Sequence, residues 1–344
     1  MSHELFGQML AGSIDTLRPA YEAFSKQTVD WDLLPVNQTF TPERQCTLAA
    51  PFSVAGPGTF FGKATRTLRF EPTDLEGWWF VREDLADCLP IRVSIRNVWT
   101  TGDVVSNIVL RSGMPQNYVR MVEHIVALKC GTPVDNVLIR VDSGDPPLFQ
   151  RGSLDLVEAI EAAGVRETER PVRWFTVKEK VTVAASNGSF LIFHPCEGDK
   201  PALTLDCAVD FPTAIGRQRI RFPLNTELFK YGSEARTNTS FIKMLYCRTI
   251  GKLFADVRNL GYSKDNILIA SRWGYMNEAK LRHGSKSLEA VWHRAVLDLL
   301  AAVALLEEGR FCGHIESYKA GHELDCQALR LLYKHDLLVP WGSR

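Results

Sequence analysis

Two runs of strand-like segments, each followed by helix-like segments, constrain the fold of this 344-residue chain more than any other feature. In the first run, alternating stretches at 64–70, 77–81 and 91–95 precede amphipathic helices around 117–129 and 154–163, with a strand at 136–141 between those helices. In the second, 172–184, 190–193, 202–209 and 218–221 read as strands, and Asn187-Gly188 supplies a hairpin turn. Helices then run around 239–260 and 286–308, with a buried strand at 266–270 between them. A charged linker at 166–171 separates the runs. The layout predicts an α+β fold with two similar domains, 45–166 and 171–335, each a β-sheet layer packed on two helices. No sequence repeat supports the likeness of the halves independently.

Residues 1–44 form an added N-terminal element. Leu5, Phe6, Met9, Leu10, Ile14, Leu17, Tyr21 and Phe24 share roughly one helical face, and Pro19 is expected to bend or split that helix. The apolar face either packs on a core or meets a partner. Forty basic and forty acidic side chains cancel, so no whole-chain field draws nucleic acid or an anionic membrane, and an anionic ligand needs a local pocket. The eight cysteines (46, 88, 130, 196, 207, 247, 312, 326) include no Cys-x-x-Cys, which argues against a thiolate zinc site and suits a reducing cytoplasm. The N-terminus reads as no secretion signal. The most apolar stretch, 295–306, contains Asp298 and is shorter than the ~20 residues a membrane-spanning helix needs. The expected location is the cytoplasm.

The chemistry begins at Glu123-His124, which sets a metal-ligand imidazole beside a carboxylate able to activate water. Neighbouring helical residues point about 100° apart, so both can border one cleft without both binding an ion. Downstream lie Asp135-Asn136 and Gly152-Ser153; upstream lie Gln45-Cys-Thr-Leu48 and Gly56-Pro-Gly-Thr-Phe-Phe-Gly-Lys63. Near the C-terminus stands Tyr318-Lys-Ala-Gly-His-Glu-Leu-Asp325. From about 45 to 330 this pattern resembles the UDP-3-O-acyl-N-acetylglucosamine deacetylases, the zinc amidases of lipid A synthesis. Departures are Phe60 for a loop histidine, Arg151 for an acidic residue, Ala302 for a second aspartate, and Ile250 and Lys252 for aromatic residues.

The resemblance implies an active site between the two domains and a Zn²⁺ ion held by His124, His293 and Asp298. It makes Glu123 the general base and His322 the acid that protonates the leaving amine. The Thr249 hydroxyl would support the polarised carbonyl, with Arg294 and Lys319 as substrate contacts. The implied substrate is an acylated UDP-sugar. The family spaces its second histidine and its aspartate four residues apart, whereas His293 and Asp298 are five apart, about 140° round a regular helix. A one-residue π-bulge would bring them together. In the alternative register Arg294 and Asp298 form an ordinary i,i+4 ion pair without metal. Either way Asp298 needs a partner, because a carboxylate among apolar neighbours is costly alone.

Three readings follow: a deacetylase of that sugar nucleotide, a zinc amidase on another N-acetylated sugar, and a non-catalytic paralogue with a regular helix through 293–298. His3, His194, His283, His314 and His335 lack a spacing partner and read as structural or solvated; His314, in Cys312-Gly-His314, is the spare candidate ligand.

Overall fold

Period-two alternation of large apolar residues builds the widest sheet of the structure, a computed structural model that describes residues 5–34, 41–59, 64–102, 106–240, 263 and 265–342. Its seven strands lie in the order Gln8–Ala11, Val181–Ala184, Phe190–His194, Gly313–Tyr318, Leu203–Asp210, Arg217–Pro223 and Trp31–Asp32. Leu191, Phe193, Leu205, Phe222 and Ile315 point from one face into the main core. Phe190, Ile192, Ala208 and Tyr318 point from the other into a smaller cluster. A five-stranded sheet, Phe52–Pro57, Thr65–Glu71, Val137–Val141, Trp78–Arg82 and Ile91–Arg92, contributes Phe70 and Phe80 to the same main core.

One helical rod, Glu289–Trp292 continuing through His293–Leu299 and Leu300–Val303, runs through that core. It packs on the strands Leu203–Asp210 and Arg217–Pro223, and on the helices Glu123–Val126, Leu128–Gly131 and His322–Lys334. Trp292, fully buried, is ringed by Trp31, Phe222 and Tyr231. The rod thereby brings His293 and Asp298 towards His124 and His322.

The N-terminal element is not one helix broken at Pro19. It is a strand, Gln8–Ala11, a turn at Gly12 with φ +89°, and a helix, Ile14–Lys26, that runs through Pro19. Asp15 and Pro19 are both exposed, so water can take the carbonyl that proline's missing N–H leaves unpaired. Leu17 and Phe24 are buried on the outer face of the seven-stranded sheet, whose two edge strands also come from this element. The apolar face is therefore spent on packing. Arg219 fixes the helix end: it pairs bidentately with Asp206 at 2.8 Å, donates to the Phe24 carbonyl at 2.6 Å and lies 3.8 Å from the Phe24 ring centroid. Phe24→Ala is expected to cost about 3–5 kcal/mol, read from urea denaturation; a cost under about 1 kcal/mol would mean the element is not integral to the sheet.

Three further expectations change. The charged stretch taken as a linker is a strand, Val165–Pro171, antiparallel to Arg44–Leu48 and exposed along most of its length. The helix expected at 117–129 is instead a strand, Tyr118–Arg120, followed by two short helices, because Met121 at φ +52° breaks the path between them. The start of the segment read as a helix at 239–260 belongs to a strand, Thr237–Ser240, parallel to Ile267–Ala270; the rest of it lies outside the described residues. Among the described residues no helix is long and apolar enough to cross a membrane.

Candidate active site

The rod's middle turn carries the site. His293–Leu299 winds as a π-helix, whose i→i+5 pattern returns Asp298 to the side of His293. His293 Nδ1 lies 3.4 Å from Asp298 Oδ1. Arg294 turns away to Asp325, with Nη1–Oδ2 at 2.8 Å and Nη2–Oδ1 at 2.5 Å, and Nη2 also reaches Ser317 Oγ at 3.1 Å. The bulged register is the one that forms, and the Arg294–Asp298 pair of the regular register is replaced by Arg294–Asp325. Arg294, expected as a substrate contact, is 3% exposed with its guanidinium committed to this pair.

His124 meets the rod from the facing helix. Its Nε2 is 3.1 Å from His293 Nε2, and Thr237 Oγ1 sits 3.4 Å from the first and 3.1 Å from the second. The Ser153 hydroxyl donates to the His124 carbonyl at 2.5 Å, which fixes that backbone and leaves Ser153 without a capping bond to its own helix. Gly152 beside it has φ +60°, and a Cβ there would meet the Ser233 and Ala235 carbonyl oxygens at 2.5 and 2.6 Å. The Gly-Ser motif is thus a support for the histidine. Asp135 and Asn136 serve the same scaffold, accepting from the Cys46 and Gly77 amides at 2.8 Å each.

His322 opens the helix His322–Lys334, and its Nε2 lies 3.3 Å from Asp298 Oδ1. Glu123 is buried, and its Oε2 accepts from the Ile108 amide at 3.1 Å. Thr59, Met121, Glu123, His124, Phe149 and Thr237 line the cleft in front. Lys319 is exposed at φ +52°, with its Nζ 5.7 Å from the Tyr318 ring centroid. Thr249, Phe60, Ile250 and Lys252 lie outside the described residues. Thr237 carries no motif in the sequence; only its strand register brings it to the histidines.

Burial, and then the facing His293 ring, push the His124 pKa down to about 3, so its imidazole is neutral at pH 7. Burial also disfavours charge on His293, but the Asp298 carboxylate more than offsets this and raises its pKa. Burial would raise the Asp298 pKa, yet His293 and His322 together hold it well below the usual carboxylate range. Burial raises the Glu123 pKa, as suits a proton acceptor.

A metal ion fits this donor set in kind. Two imidazole nitrogens face each other at 3.1 Å, and Asp298 Oδ1, approached by His293 Nδ1 at 3.4 Å and His322 Nε2 at 3.3 Å, makes no well-formed hydrogen bond among the described residues. Imidazoles plus a carboxylate, with a second carboxylate at hand, form a set suited to zinc. Asp298 here contacts Nδ1 of His293, while the His124–His293 contact runs through Nε2.

A half-buried carboxylate in contact with His293 and His322, with His124 facing His293, has the makings of a metal-assisted hydrolase site. A family description, UDP-3-O-acyl N-acetylglycosamine deacetylase, matches residues 45–334, and the chain belongs to that family. It is 31% identical over 297 residues to the UDP-3-O-acyl-N-acetylglucosamine deacetylase of Teredinibacter turnerae, covering 85% of this chain and 91% of that protein. The enzyme of the same name from Marinobacter nauticus is 30% identical, with 84% and 90% covered. That from Xanthomonas euvesicatoria is 28% identical, with 87% and 93% covered.

Proposed function

We propose that this protein is a zinc-dependent N-deacetylase that removes the acetyl group of UDP-3-O-acyl-N-acetylglucosamine or a close relative, in lipid A synthesis in the cytoplasm. The observation that carries the reading is the convergence of His293 and Asp298 through a π-helix, next to His124 and His322. Sequence likeness to named deacetylases over most of the chain supports the substrate class.

His124, His293 and Asp298 would hold the ion. Bound there, zinc would supply the Lewis acidity that polarises the acetamide carbonyl and acidifies water. Glu123 takes the proton of the attacking water, its carboxylate aimed by the Ile108 amide. The water oxygen adds to the carbonyl carbon and the C–N bond then breaks. His322, whose Nε2 lies 3.3 Å from Asp298 Oδ1, is assigned the proton given to the departing nitrogen, leaving acetate and the free amine. Thr249 is assigned the hydroxyl that supports the oxyanion. Lys319, exposed near the end of the strand that leads to His322, is assigned to the anionic part of the substrate.

Removing metal with a chelator is expected to abolish amine formation from UDP-3-O-acyl-N-acetylglucosamine, and added zinc to restore it. Activity that survives in verified metal-free protein would overturn the zinc requirement. One observation favours a second reading, a ligand-binding paralogue without catalysis: Asp298 contacts the nitrogen of His293 that faces away from His124. That reading predicts no turnover even in zinc-loaded protein.

A further inference from the structure

A second cluster of ligand atoms lies on the outer face of the seven-stranded sheet. His194 and His314 stand directly opposite each other on antiparallel neighbouring strands, with ring centroids 5.2 Å apart. Glu316 is two residues further along the second strand and so points to the same face. One ligand atom from each of the three lies within 4.8 Å of the others. Nε2 of His194 and Oε2 of Glu316 are buried and lack a hydrogen-bond partner among the described residues. His314 is already oriented, since its Nδ1 is hydrogen-bonded to Thr204 Oγ1 at 2.8 Å, which leaves Nε2 directed away from that bond.

We propose that His194, His314 and Glu316 form a second divalent-metal site, separate from the deacetylase centre, for a borderline ion of the zinc class. Two imidazoles and a carboxylate match that class better than magnesium or calcium, which prefer all-oxygen shells. The Thr204 bond is the kind of outer support that metal-binding histidines use to fix their tautomer. The ion would tie Phe190–His194 to Gly313–Tyr318, the strand whose chain runs on to His322, and no step of the deacetylation requires it. Without an ion, His194 Nε2 and Glu316 Oε1 stand 3.6 Å apart, beyond hydrogen-bond reach.

The test uses the full chain carrying His124→Ala and His293→Ala, so that zinc at the deacetylase centre is not counted. Equilibrium dialysis against zinc alone should give about one ion per chain, and His314→Ala or the near-isosteric Glu316→Gln should each remove it. Zinc should also raise the melting temperature of this background but not of its Glu316→Gln derivative. If the background folds and binds no zinc, the cluster is a structural contact between strands and the proposal fails. Zinc retained after both substitutions would place the binding elsewhere and overturn it equally. Should the background not fold, the same comparison is made on the otherwise unaltered chain, where Glu316→Gln should lower the zinc content by about one ion; an unchanged content would sink the proposal.

Discussion

Glu123→Gln is expected to lower kcat for deacetylation by about 10²–10⁴-fold while leaving zinc binding and the melting temperature nearly unchanged. Glutamine keeps the shape of the side chain and an oxygen that can still accept from the Ile108 amide, the bond that holds Glu123 in place at 3.1 Å. It loses only the capacity to take a proton. The loss should therefore fall on kcat and kcat/KM together, with KM little altered, because the water proton moves in the transition state and not on binding. Steady-state kinetics on purified wild type and variant decide it. A variant within about threefold of wild type would remove Glu123 from the role of base, and a loss explained wholly by KM would make it a binding group.

Asp325→Ala should be the most destabilising single change near the site. Arg294 and Asp325 are both buried, and their bidentate pair is completed by Ser317. Burial opposes the charge on Arg294, and the Asp325 carboxylate more than offsets it. Truncating the aspartate strands a guanidinium in the core at a cost of about 3–5 kcal/mol. An apolar replacement of both residues, Arg294→Met with Asp325→Leu, should recover much of that loss, since the penalty lies in the unpaired charge and not in the absence of the pair. Urea denaturation of the single and double variants separates these effects. A single variant that costs under about 1 kcal/mol would mean that water reaches the guanidinium. Activity should fall as well, because Arg294 adjoins His293 and Asp325 lies on the first turn of the helix that begins at His322.

Arg294 directly follows the second histidine, and Asp325 lies three residues after His322. The two side chains meet in the core, and each charge is costly without the other. Arg151, a departure from the family pattern, is used at the surface, where it pairs with Asp155 and Glu158 on the helix that follows it.

Local pattern made much of this fold legible. Period-two runs located Thr65–Glu71, Phe190–His194, Leu203–Asp210 and Arg217–Pro223 to within a residue or two, and helical periodicity located Leu154–Ala163. The misses have non-local causes. Val165–Pro171 reads as a linker because its side chains are mostly exposed; only Arg44–Leu48, more than a hundred residues earlier, makes it a strand. Gln8–Ala11 is a four-residue strand that pairs in parallel with Val181–Ala184, which no window along the chain can foresee. The five-residue spacing of His293 and Asp298 requires a bulge if both are to face one ion, but periodicity leaves both registers open. Packing decides, since the π-turn lets Arg294 reach Asp325 while Asp298 faces two histidines. His194 and His314 showed no spacing partner because they are 120 residues apart, and cross-strand register alone makes them neighbours.

Bound zinc per chain, measured in protein carrying Glu316→Gln so that the outer cluster is not counted, bears hardest on the proposed deacetylase centre. About one ion per chain, lost with His124→Ala and again with His293→Ala and accompanied by loss of amine formation, is the predicted result. A folded protein that takes up no zinc on incubation with the ion, or that keeps it through both histidine substitutions, would contradict the centre built on the π-helix.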